Sequence, residues 1–169
     1  MPLKKEVVRV QLMNNTNIPS ILFVCLGNIC RSPLAEAALR KVAEDRGLAM
    51  RIDSAGTGDW HVGNPPDRRA IAMAARNGIA IDSYRARQLV TDDFNRFHHI
   101  FALDHANLDD IRAIAPARPT AQVSLLLDMV PGREGQSVAD PYFGDEAGFE
   151  VTWRDVMEAA QALAARFAK

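Results

Sequence analysis

The sequence predicts an α/β fold in three layers, a four-stranded parallel sheet with helices on both faces. Three observations predict it. Short apolar, β-prone runs alternate with amphipathic helical stretches along most of the chain. The length of 169 residues suits one compact domain with its own core. Two cysteines are too few for a disulfide-stapled fold or a four-thiolate metal cage.

Residues 1–18 read as an extension before the domain of residues 19–169. Asn14–Asn17 is a turn or a disordered stretch. Ile21–Val24 is the first strand. Ser32 to Arg46 is a helix: Ser32 can cap it, Pro33 fits the first helical position and Gly47 stops it. Met50–Ser54 is the second strand, and Asp67–Asn77, closed by Gly78, the second helix. Thr91–Phe97 opens with Thr-Asp-Asp, a good helix start. Ile100–Leu103 is the third strand, Ala106–Ala113 a short helix and Val123–Leu127 the fourth strand. An Ala-rich helix over Phe149–Phe167 ends the chain.

The charges nearly balance, 20 basic against 21 acidic residues, net −1. A nucleic-acid or membrane binder driven by its field would show an excess of one sign. No apolar run is long enough to span a bilayer, and the first twenty residues lack the apolar core of a signal peptide. No nucleic acid, no membrane and a cytoplasmic location are therefore expected. Sixteen of the basic residues are Arg. Arg favours bidentate contacts with oxyanions, although a compositional bias accounts for the skew as well.

In such a sheet ligands bind at the carboxyl ends of the strands. The first of those loops carries the chemistry: Cys25-Leu-Gly27-Asn28-Ile-Cys30-Arg31-Ser32-Pro33 joins a strand to a helix. Each residue has a role in holding phosphate. The helix start offers free N–H groups and a favourable dipole to an anion. Gly27 permits close backbone approach. Asn28 tolerates positive φ, so Leu26 to Cys30 can curl into a nest of inward N–H groups. Arg31 adds a bidentate clamp, at a helix start where a cation is otherwise disfavoured. Cys25 at the base of this cup is set to act as a thiolate nucleophile. Ser32 can hydrogen-bond that thiolate. The competing reading makes Cys25 a small buried hydrophobe and Arg31 a solvated helix start.

The run Val24-Cys25-Leu26-Gly27-Asn28-Ile29-Cys30-Arg31-Ser32-Pro33, followed by Ala35-Glu36, closely resembles the signature of the low-molecular-weight protein tyrosine phosphatases. The likeness spans roughly residues 20–168. It implies their flavodoxin-like phosphotyrosine protein phosphatase I fold. It also implies hydrolysis of protein phosphotyrosine through a phosphocysteine, with no metal or organic cofactor. A phosphotyrosine-bearing protein, a tyrosine kinase among the candidates, is the implied partner. Phosphate and other oxyanions are the implied inhibitors.

A phenolic leaving group calls for a general acid, and composition alone does not choose one among the carboxylates. Asp140-Pro141-Tyr142-Phe143 alone reads as a surface turn. The resemblance makes Asp140 the acid, with Tyr142 and Phe143 as aromatic walls of the cleft. It likewise makes Ser54, in Asp53-Ser54-Ala55-Gly56-Thr57 after the second strand, a support for Asn28. Trp60 becomes a cleft wall and Asp104 a loop-positioning residue. Tyr84 stands where the family has a histidine that contacts the loop, which puts that contact in doubt. His98 and His99 read as helix-end or strand-start residues, and His61 and His105 receive no role. Arsenate reduction needs two further cysteines downstream, and none follows Cys30. Ile29 and Tyr142 favour tyrosine over a protein-arginine phosphatase. A phosphate-binding module without turnover would need neither Cys25 nor Asp140. The likeness further implies that Cys30 can trap an oxidised Cys25 as a disulfide.

Overall fold

A computed structural model describes residues 18–168. The extension expected over residues 1–18 lies, apart from Ile18, outside the described residues. Four strands form one parallel sheet: β1 (Ser20–Cys25), β2 (Arg51–Gly56), β3 (His99–Ala102) and β4 (Gln122–Leu125). Their order is β2-β1-β3-β4. β1 is buried along its whole length, as the unbroken run Ser-Ile-Leu-Phe-Val-Cys requires of a central strand covered on both sides.

Among the described residues five α-helices cover the sheet: α1 (Arg31–Asp45), α2 (Arg68–Arg76), α3 (Asp93–Arg96), α4 (His105–Ile114) and α5 (Glu146–Phe167). The alternation of β1 divides the core in two. Ile21, Phe23 and Cys25 face a cluster built with α1, α2 and α5, including Leu34, Leu39, Phe149 and Trp153. Leu22 and Val24 face a smaller cluster with Phe94, Phe97, Leu108 and Ile111. A short 3-10 turn after β4 adds Leu126 and Leu127 to the larger one.

The fourth strand, expected over Val123–Leu127, ends at Leu125 because Leu126 and Leu127 enter the 3-10 turn, and two further expectations change beside the first loop. α1 starts at Arg31, after Cys30 at the N-cap position, and has no side-chain cap. Ser32 therefore lies inside the first turn, where its hydroxyl is free to face the preceding loop. β2 runs two residues past the expected Ser54, because Ala55 and Gly56 continue to pair with Val24 and Cys25. Asp67 and Asp104 cap α2 and α4 through their carboxylates.

The chain leaves β1 toward β2 on one side and β3 on the other. The crevice at the carboxyl ends of β1 and β3 is thus the switch point of the sheet, where this architecture binds ligands. Cys25 ends β1, and Asp104 is the second residue after β3.

Candidate active site

The loop from Cys25 to Arg31 curls at Asn28, whose φ of 57° is the one positive value among the described non-glycine residues. The left-handed turn costs an L-residue energy and needs outside support. Asn28 is held on three sides. Its Nδ2 donates to Ser32 Oγ at 2.8 Å and to Ser54 Oγ at 2.9 Å, and its Oδ1 accepts from the Arg87 N–H at 3.0 Å. Ser54, expected as a support for Asn28, accepts one of these bonds.

The Cys25 Sγ lies 3.0 Å from Ser32 Oγ. The Arg31 side chain, only 3 % exposed, donates from Nη1 to Asp104 Oδ2 at 2.6 Å and to the Val138 carbonyl at 3.0 Å. Asp104 is itself fixed, since its Oδ1 accepts from the Asn107 N–H at 2.7 Å. One carboxylate thus caps α4 and aims the clamp. A solvated Arg31 is excluded by this burial. Arg31 Nη2 is 3.5 Å from Asp140 Oδ2. The Tyr142 N–H donates to Asp140 Oδ1 at 3.0 Å, which orients the carboxyl within its turn.

These groups meet around a cleft of about 150 Å³ lined by Cys25, Leu26, Gly27, Ile29, Cys30, Arg31, Trp60, His61, Asp140, Tyr142 and Phe143. Its mouth is aromatic: Trp60 is 69 % and Phe143 94 % exposed, and the Tyr142 and Phe143 rings meet edge to face. The loop residues expected to hold phosphate therefore divide. Leu26, Gly27, Ile29 and Cys30 line the cleft, whereas Asn28 and Ser32 brace the loop from behind. Gly56 makes the loop's position possible, because a Cβ there would lie 2.8 Å from the Leu26 carbonyl oxygen and 3.0 Å from Gly27 C.

Sequence reasoning missed several contributors. Glu36, buried under the loop, accepts from Ser54 Oγ at 2.7 Å and from Arg40 Nε at 2.9 Å. Burial holds its carboxyl above the usual glutamate range, against the pull of Ser54 and Arg40. Arg87 pairs with Asp53 at 3.1 Å and with the fully buried Asp93 at 3.0 Å, which fixes the backbone that holds Asn28. His61 shares the cleft wall with Trp60 and packs close to Gly27. The signal for His61 was its place beside Trp60.

Tyr84 lines a cavity of about 100 Å³ behind the loop with Asn28, Glu36 and Ser54. Among the described residues its hydroxyl forms no hydrogen bond to the loop, and the Arg87 backbone holds Asn28 instead. Burial raises the Tyr84 phenol. Both cysteines are free thiols. Burial, reinforced by Asp67, pushes the Cys30 thiol well above the usual thiol range. His98 and His99 lie at the start of β3, where the His98 Nδ1 accepts from the Ser20 N–H at 3.1 Å. No three described His, Cys, Asp or Glu side chains are grouped to hold a metal ion.

The profile of the low molecular weight phosphotyrosine protein phosphatases matches residues 20–169. The Schizosaccharomyces pombe low molecular weight phosphotyrosine protein phosphatase is 47 % identical over 132 residues, 76 % of this chain and 84 % of its own. The human protein of the same description is 38 % identical over 147 residues, 85 % of this chain and 92 % of its own. Among solved structures, YfkJ from Bacillus subtilis superposes with a TM-score of 0.83 at 38 % identity, covering 89 % of this chain and 97 % of that one. A drosophila arginine phosphatase superposes with a TM-score of 0.82 at 31 % identity, covering 88 % and 98 %. A match over nearly all of the described fold, on top of the braced loop that joins β1 to α1, leads to one conclusion: the chain belongs to the low molecular weight phosphotyrosine protein phosphatase family.

Proposed function

We propose that this enzyme hydrolyses phosphotyrosine in proteins through a phosphocysteine intermediate. The observation that carries the reading is the meeting of three groups in one cleft: the Cys25 thiol at its base, the buried Arg31 guanidinium, and the Asp140 carboxyl 3.5 Å from that guanidinium. The Cys25 thiolate attacks phosphorus. Arg31 and the inward N–H groups of residues 26–30 hold the equatorial oxygens, in a field fixed before substrate arrives. Asp140 gives its proton to the phenolic oxygen as the P–O bond breaks. Asp140 then takes a proton from water, which attacks the phosphocysteine. Phosphate leaves, and Ser32 O–H receives the departing thiolate.

The aromatic mouth of Trp60, Tyr142 and Phe143 supports a phenyl ring as the group presented. Leaving-group protonation matters most for a phenoxide, whose conjugate acid has a pKa of about 10. Phosphate and other oxyanions compete for the same loop. Two free thiols suit a reducing compartment, and we read the enzyme as cytoplasmic. Under peroxide, Cys25 becomes a sulfenic acid, and the Cys30 thiol condenses with it to a disulfide as water leaves.

The test is release of p-nitrophenol from p-nitrophenyl phosphate in chelator-treated buffer. Cys25→Ser should abolish it, and Asp140→Ala should reduce it strongly. Full activity of Cys25→Ser would refute the covalent route. Faster turnover of phosphoarginine than of phosphotyrosine peptides would overturn the substrate class.

A further inference from the structure

We propose that Arg69, outside the cleft, is a positioning residue that sets where the acid loop stands relative to the phosphate loop. The inference rests on the reading of Asp140 as the general acid.

The acid loop has little packing of its own. Between Ala139 and Asp145 only Pro141 is buried, and Phe143 is almost wholly in solvent. A segment with so few buried contacts opens easily unless polar ties hold it. Arg69 supplies those ties. Its Nη2 donates to the Tyr142 carbonyl at 2.9 Å and its Nη1 to the Gly144 carbonyl at 3.0 Å. Its guanidinium also lies 4.6 Å from the Phe149 ring centroid, at the start of α5, and 5.9 Å from that of Tyr142.

The other side of the guanidinium is anchored. Nε and Nη2 donate to the two oxygens of Asp67, each at 3.0 Å. The Asp67 N–H in turn donates to the carbonyl of Ile29, inside the phosphate loop, at 2.8 Å. The contacts close a ring. Ile29 is tied to Asp67, Asp67 to Arg69, Arg69 to the Tyr142 carbonyl, the Tyr142 N–H to Asp140, and Asp140 faces Arg31 across 3.5 Å. Asp67 and Arg69 are the two links of this ring that do not line the cleft, and Arg69 is the one bonded to the acid loop. Four of its five donors are used in fixed directions, and a lysine has no such fork.

A loop held this way places the proton of Asp140 at one distance from the leaving oxygen. Loosening it weakens proton transfer and leaves the Cys25–Arg31 half of the site in place. The expected signature is a loss that depends on the leaving group. kcat/KM, which reports formation of the phosphocysteine, is measured for phenyl phosphate and for 2,4-dinitrophenyl phosphate. The proteins are wild type, Arg69→Met, Arg69→Lys, Asp140→Asn and Arg69→Met/Asp140→Asn. The ratio of the two values within one preparation cancels any unfolded fraction, so a poorly folding variant still reports.

Asp140→Asn should lose roughly 10²–10⁴-fold on phenyl phosphate and far less on the activated ester. Arg69→Met should lose roughly tenfold or more on phenyl phosphate, again with little loss on the activated ester. Arg69→Lys should fall between Arg69→Met and wild type. In the Asp140→Asn background, Arg69→Met should add less than about twofold, since the pair acts as one unit. Equal losses on both esters for Arg69→Met, no loss, or additive losses in the double variant would overturn the proposal while leaving Asp140 as the acid. Equal losses on both esters for Asp140→Asn would remove that acid, and this inference with it.

Discussion

Removing one hydroxyl, Ser32→Ala, isolates the second half of the reaction. Asn28 Nδ2 is a donor only, and it donates to Ser32 Oγ at 2.8 Å. It takes up a lone pair, so the Ser32 proton must point elsewhere. Two acceptors are in range, Cys25 Sγ at 3.0 Å and the Ala55 carbonyl at 3.4 Å. The closer one is also the one that carries charge as thiolate, and the proton belongs there. A hydrogen bond to a charged group contributes about 1.5–3 kcal/mol. At about 1.4 kcal/mol per factor of ten, its loss slows the affected step roughly 12- to 140-fold. In the proposed mechanism that step is hydrolysis of the phosphocysteine. The bond is given up when the thiolate attacks and is regained when the thiolate leaves. Stopped-flow turnover of p-nitrophenyl phosphate by Ser32→Ala should show a burst of about one p-nitrophenol per site, then slow steady release with a lowered kcat. Rapid acid quench should trap phosphoprotein. A kcat within twofold of wild type, or a lowered kcat without accumulated phosphoenzyme, would refute the reasoning.

Two further outcomes follow from the same geometry. Gly56→Ala places a methyl 2.8 Å from the Leu26 carbonyl oxygen, so the phosphate loop must move. kcat/KM should fall by at least roughly tenfold, since displacements of about 1 Å cost that much and more. Overpacking should lower stability by about 1–3 kcal/mol in urea melts; unchanged inhibition by phosphate would contradict this. Glu36 supplies a pH signature. Its folded pKa lies above the ordinary value of 4.5 because it is buried, so folded protein keeps a proton that the unfolded chain loses. The stability this group contributes is full below pH 4.5 and declines as pH rises through the raised value. The stability difference between wild type and Glu36→Gln should therefore shift against wild type as pH climbs from 4.5. A difference that stays flat with pH would refute a raised Glu36 value in the folded protein.

The loop between β1 and α1 was legible because its constraints are local. The strand end, Gly27, the left-handed Asn28 and a cation at a helix start all lie within ten residues. Asp140 was not legible by its own chemistry. Its relation to Arg31 exists only once β3 lies beside β1 and the chain returns past Val138. The braces were least legible. Glu36 and Arg40 have the spacing of an ordinary exposed helix pair, and nothing local says that Glu36 is buried under the loop. Nothing local marks Asp67 and Arg69 beyond the start of a helix, and His61 received no role. Ser32 misleads in the other direction. Its residue type suits a helix cap, but the capping position falls on Cys30 and its hydroxyl serves the thiol.

The central position of β1 has a consequence in time. Cys25 is made early in synthesis, but the Arg31 side chain is held by partners 73 and 107 residues further along. Contacts of that separation form late, after their loop-closure entropy has been met. A nascent chain with only β1, α1 and β2 carries Cys25 without the fixed Arg31 geometry and without Asp140, the acid of the proposed mechanism. Dephosphorylating activity thus arises only when the last third of the polypeptide has joined the fold. For this molecule, turnover is a measure of folding completed.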